Sequence, residues 1–222
     1  MVTEQTKEKI RELKQEFRAH MNGMASTAMR NAGIGYRLNF GIELPRLREI
    51  ASGFEPDHEL AQELWKEDIR ESMIVATLLQ PIDTFYPEIA DIWVERIHTY
   101  EMAGIASMNL FQRLPYASEK SFQWMASDNE FVQACGYHTV IHLMRQNPLS
   151  DRSAEEMVDH AVFTLSWDSN PAPLRTVAWK ALQQFALTSP NASAYVVDRM
   201  KLAGFDQTDE LRAYLDYLGG EE

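Results

Sequence analysis

The chain of 222 residues contains a single cysteine, Cys135, so no internal disulfide can form and a reducing setting, the cytoplasm, is expected. It lacks any apolar run approaching the roughly 18 residues that a membrane span needs. Its first residues, MVTEQTKEKI, are too polar for a secretory signal. Positive charge is scarce: 21 Lys and Arg stand against 33 Asp and Glu, a formal net charge of -12. Phosphate binding is driven by Lys and Arg, so this balance speaks against a general nucleic-acid sponge, although it leaves room for a local basic groove. Plain solubility is the simpler account of the acidity. Also missing are a P-loop, a dinucleotide fingerprint, a G-x-S-x-G elbow, an H-E-x-x-H and a C-x-x-C. No segment alternates with period two for long enough to be a strand.

What the sequence does have is helical period. Ile10, Leu13 and Phe17 recur at i, i+3, i+7; Phe85, Ile89, Ile92, Trp93 and Ile97 form one stripe; Ala154, Met157, Ala161 and Leu165 form another; Leu211, Tyr214, Leu215 and Leu218 repeat the pattern. Breaks rich in Pro, Asn, Asp and Ser punctuate the chain, with Asn170 and Pro171, Asp57 and Asp128 as expected helix starts. The helices pair as 43–54 with 57–67, 69–80 with 85–98, 100–114 with 118–126, 129–147 with 150–167, and 171–189 with 191–203. A hairpin step of roughly 30 to 40 residues suits an all-α solenoid of HEAT or armadillo type. The expectation is one curved domain over 1–222, with a compact helical bundle as the alternative.

Few residues advertise chemistry. His138 and His142 in HTVIH lie four apart, a spacing suited to a metal, but no third ligand is evident, and a structural role is the simpler reading. No metal and no cofactor are expected. Cys135 lies in a helical stretch with no cationic cluster to activate it and reads as a small core residue. Trp65 and Trp93 sit on apolar stripes and read as core. Trp179 is different: Arg175 precedes it by four residues and Lys180 follows it, a pattern that can stack a base or sugar beside phosphate contacts. The strongest basic patch, MRNAGIGYRLNFGIELPRLRE, carries Arg30, Arg37, Arg46 and Arg48 with Tyr36 between them. It is either a phosphate-tracking surface or a solvated loop and helix edge.

Four stretches, NFGIELPRLREIA, HELAQELWKEDIRESMIVATLL, FQWMASDNEFVQACGY and RTVAWKALQQFA, resemble in order the DNA alkylation repair family of HEAT-like-repeat glycosylases and cover most of residues 35 to 190. The resemblance implies chemistry on purines alkylated at N3 or N7. Their positive charge makes the glycosidic bond labile, and its cleavage leaves an oxocarbenium-like sugar. In active members a fixed carboxylate stabilises that cation, aromatic faces hold the nucleotide, and an arginine grips the backbone, all on a concave face.

Carried over residue by residue, the family's first aromatic matches Tyr100 and its second matches Trp179. The catalytic aspartate matches Gly104, so the carboxylate is absent. The phosphate-gripping arginine matches Ala134, after Gln133, and a further arginine falls near Leu182 or Gln183. The family's N-terminal tyrosine has Tyr36 as its candidate. Glu101, one turn before Gly104, is the candidate for supplying a carboxylate by another geometry. The resemblance therefore implies a DNA-binding relative, for damaged or branched DNA, with weak or absent base release; a monomer is expected. The binding candidates are Tyr100, Trp179, Arg175, Lys180, Tyr36 and the Arg30 to Arg48 patch. The alternatives are an active alkylpurine glycosylase with a rearranged site and a protein-binding scaffold.

Overall fold

The structure is a computed structural model that describes residues 2–205. These form α1 (Glu4–Ala19), α2 (Gly23–Asn31), α3 (Leu44–Ser52), α4 (His58–Trp65), α5 (Arg70–Leu79), α6 (Pro87–Glu95), α7 (Tyr100–Asn109), α8 (Ala117–Met125), α9 (Glu130–Gln146), α10 (Asp151–Ser166), α11 (Ala172–Ala186) and α12 (Pro190–Leu202). Single 3-10 turns follow α5 at Ile82–Thr84 and α7 at Phe111–Arg113. A lone bridge between Leu38 and Ile69 is the only β pairing among the described residues. The stripe predicted at 211–218 lies outside the described residues.

Side-chain caps set the helix starts. Thr3, Asn22, Asp57, Thr99, Asn129, Ser150 and Ser189 each accept a backbone N–H from the first turn of their helix, satisfying a donor that has no intrahelical partner. Asp57 caps as expected. Two other starts differ from the reading above. At α9 the cap is Asn129, not Asp128, and it accepts from Phe131 and Val132. At α11 the boundary residue is Pro171, with no side-chain cap; Asn170 turns back to donate Nδ2 to Thr164 O at 2.8 Å, closing the end of α10 instead.

The helices group into two compact units, residues 1–117 and 118–222. In the first, α5 packs on α3, α4 and α7, and α1 lies on α4. Leu13 and Phe17 of α1 are buried there as their spacing predicts. The centre of this core is a parallel stack of Trp65 on Trp93, 4.2 Å between ring centroids and 4° between planes, with Phe85 edge-on to Trp93 at 4.9 Å. The Trp93 indole N–H donates to Gln62 Oε1 at 3.0 Å, so the buried ring keeps its polar end satisfied. Ile92, placed on the same stripe by its spacing, is instead 60% exposed, because α6 is short and buries one side only.

In the second unit α11 packs on α9, α10 and α12, and α10 also meets α12. Gly136 lets α9 approach α8: a Cβ there would lie 2.6 Å from Met125 N and 2.7 Å from Ser121 O. Tyr137, one residue on, is buried and shares a 2.7 Å hydrogen bond with Thr164 of α10. Cys135 is fully buried, and burial pushes its thiol up, away from the reactive thiolate, as the core reading requires.

Candidate nucleic-acid interface

At the start of α5 two charged residues are interior: Arg70 and Glu71 are both buried. Glu71 accepts the backbone N–H groups of Phe40 at 2.9 Å and Ile42 at 3.2 Å, tying the loop before α3 to α5. Arg70 donates Nη1 to Ile42 O at 2.8 Å and to Glu71 Oε1 at 3.2 Å. Its remaining donors go to Glu101, in the first turn of α7: Nε lies 3.0 Å from each carboxylate oxygen and Nη2 lies 2.7 Å from Oε1. Tyr36 completes the set, donating its O–H to Glu101 Oε2 at 3.2 Å and sharing a 2.8 Å bond with the capping Thr99. Burial, reinforced by the Glu101 charge, pushes the Tyr36 phenol well above its usual range, so it stays a neutral donor.

The loop that brings Tyr36 here depends on Gly41. Its φ of +73° suits glycine, and a Cβ would lie 2.3 Å from Asn22 O, at the start of α2. Tyr36 is buried, edge-on to His98 at 5.6 Å, so its ring is used inside the unit and presents no open stacking face. His98 fastens the same loop, with Nε2 2.8 Å from Gly35 O.

Glu101, the candidate carboxylate, thus has both oxygens engaged by Arg70 and one by Tyr36. Tyr100 is half-buried at the first position of α7, and Gly104 is half-buried one turn along. The basic patch is partly spoken for. Arg46 pairs with Glu49 at 2.5 Å and also meets the His20 ring. Arg30 donates to Ser26 Oγ at 3.2 Å, and Arg48 lies against Met108 Sδ at 3.7 Å. Arg37 is exposed on the loop.

In the second unit, Ala134 is 0% exposed. Gln133 beside it is half-buried and donates to Ser127 O. On α11, Trp179 and Arg175 line a pocket of about 260 Å³ with Leu165, Thr176, Met200 and Phe205. Arg175 Nη1 lies 3.6 Å from Asp168. Lys180 is exposed.

The sequence reading missed Arg70 and Glu71. Their one visible signal is a charged pair opening the otherwise apolar run IRESMIVATLL. Among the described residues no group of three or more His, Cys, Asp or Glu could hold a metal, and no helix is long and apolar enough to cross a membrane.

The fold matches a solved structure from a family of proteins related to the HEAT-like repeat DNA glycosylases with affinity for branched DNA structures. The TM-score is 0.75 at 17% identity, covering 85% of this chain and 80% of that one. The HEAT-like helical architecture expected from the hairpin spacing is therefore the architecture observed. No curated protein matches the chain in sequence. Residues 13–195 match the profile of the DNA alkylation repair enzymes, and the chain belongs to that family.

Proposed function

We propose that this protein binds DNA, damaged or branched, and releases alkylated purines weakly or not at all. Family membership supports DNA as the partner, and the matched structure's affinity for branched DNA makes that class the first to test. The observation that carries the second half is the Arg70–Glu101 clasp beside Gly104. An oxocarbenium-like sugar is stabilised by a carboxylate whose charge is free to act on it. Glu101 is the only acid on α7, and its charge is already matched by a guanidinium. Its role in this reading is to fix the start of α7, next to Tyr100, rather than to face a sugar.

The test has two parts. Binding to branched and linear oligonucleotides is measured across a salt series; the expected result is affinity that falls steeply with salt. Release of 7-methylguanine and 3-methyladenine from methylated DNA is measured alongside, with little or none expected. Robust release that Glu101→Gln abolishes would instead establish an active enzyme with a rearranged site. Absence of salt-dependent binding to any DNA would favour a protein-binding scaffold.

A further inference from the structure

The face where α9 meets α11 gathers basic side chains without acids. His138, His142 and Arg145 follow one another at i, i+4, i+7 on α9, a spacing that puts all three on one side of the helix. Arg145 Nε donates to Gln184 Oε1 of α11 at 3.1 Å, and Lys180 lies one turn before Gln184. Lys180 is close enough to act electrostatically on His138, as is His142, and Arg145 acts on His142. The histidines are half-buried; Lys180 and Arg145 are exposed.

Among the described residues none of these four side chains makes an ion pair, although the chain carries 33 acids to 21 Lys and Arg. The charges that act on the histidines are His142 and Lys180 for His138 and Arg145 for His142; α8 meets α9 at Met125 and Ser121, and α10 meets it at Thr164. Asp128, Glu155, Glu156 and Asp159, with Arg152 and His160 among them, line a separate open groove of about 660 Å³ along α10. A local grouping of cations is how an acidic protein can still offer a basic surface. Like charges brought together with no counter-charge are costly, and an anion between them removes that cost.

We propose that His138, His142, Arg145 and Lys180 form a phosphate-binding site for the DNA backbone, and that the site takes up protons as the phosphate binds. The inference rests on the DNA-binding reading above and adds where the backbone lies and how pH tunes it. Arg145 and Lys180 supply fixed charge. The histidines are held neutral in the free protein: burial, then the neighbouring His142 and Lys180, push His138 down to about 4, and burial with Arg145 pushes His142 down. A phosphate in the seam offsets both causes and favours the imidazolium forms. By linkage, affinity then rises as pH falls, by about tenfold per pH unit for each proton taken up.

Fluorescence anisotropy of a labelled branched oligonucleotide with the full chain, at pH 7.5 and 5.5 and over a salt series, tests this. Tighter binding at pH 5.5 is expected. Lys180→Ala and Arg145→Ala, both surface changes, should weaken binding at both pH values and lower the salt slope by about one each. His142→Ala should leave binding at pH 7.5 nearly intact and remove much of the pH gain; His138→Gln, checked for folding by circular dichroism, should do the same. If the wild type binds DNA but all four variants match it in slope and pH dependence, the backbone lies elsewhere; the proposal falls and the DNA reading stands. If the wild type binds no DNA at either pH, both fall. A parallel arm follows the histidine ring resonances by NMR while inorganic pyrophosphate is added. Shifts that Lys180→Ala abolishes, with DNA binding unaffected by the variants, would assign the seam to free phosphate and overturn the backbone assignment.

Discussion

The two units handle charge in opposite ways. The first buries it and matches it: Arg70 sits between Glu71 and Glu101, and Tyr36 fills a remaining acceptor. The second leaves cations without an ion pair, among the described residues, along the α9–α11 seam. A matched buried set fixes geometry, because every member constrains the others and none is left over for a ligand. An unmatched half-exposed set does the reverse, leaving electrostatic potential for a ligand to use. Glu101, in the first turn of α7, belongs to the first kind.

The contrast can be broken or sharpened by experiment. The largest effect is expected for Arg70→Met, which strands Glu71 and Glu101 without their shared cation. Urea unfolding should show a loss of about 3–5 kcal/mol; a loss under 1 kcal/mol would mean that the set is not a matched unit. Next comes acid. His138 has its folded value pushed down to about 4 from an ordinary 6.5, so the unfolded chain takes up the proton first as pH falls. Stability from this group is complete above pH 6.5 and lost towards pH 4, by about 3 kcal/mol. His138→Gln should flatten that part of a stability–pH profile. Smaller again is Gly136→Ala, where the added methyl meets Met125 N and Ser121 O; a cost of about 2 kcal/mol in thermal unfolding is expected, since backbone cannot give way cheaply. The smallest is Asp57→Ala, which removes the Leu60 cap at 3.1 Å and the Lys9 partner at 2.6 Å, for about 1 kcal/mol.

The sequence was most informative where one residue's chemistry decides its place. Leu13, Phe17, Trp65 and Trp93 followed from spacing, and Asp57 from its position before a helix. It was less informative where neighbours compete for a role: Asn129 outbid Asp128 for the α9 cap because its side chain reaches two N–H groups. The site was harder still. Arg70 and Glu101 are 31 residues apart, and a charged residue in a sequence reads as surface until its partner is located in space. Ala134 shows the converse limit. By resemblance it reads as a missing cation; that the alanine is completely buried is visible only in the structure. The HTVIH pair, read as a doubtful metal motif, acquires meaning only when α11 brings Lys180 beside it.

The tryptophans provide a built-in optical label. Trp65 and Trp93 are the only two before residue 118, stacked on each other and sealed from water. After it come Trp124, buried, Trp179, half-buried, and Trp167, which is 54% exposed. An ionic quencher should therefore dim the emission of Trp167 while leaving the stacked pair bright. Unfolding that opens the first unit should then show as new quenching of the Trp65–Trp93 pair, with no dye attached.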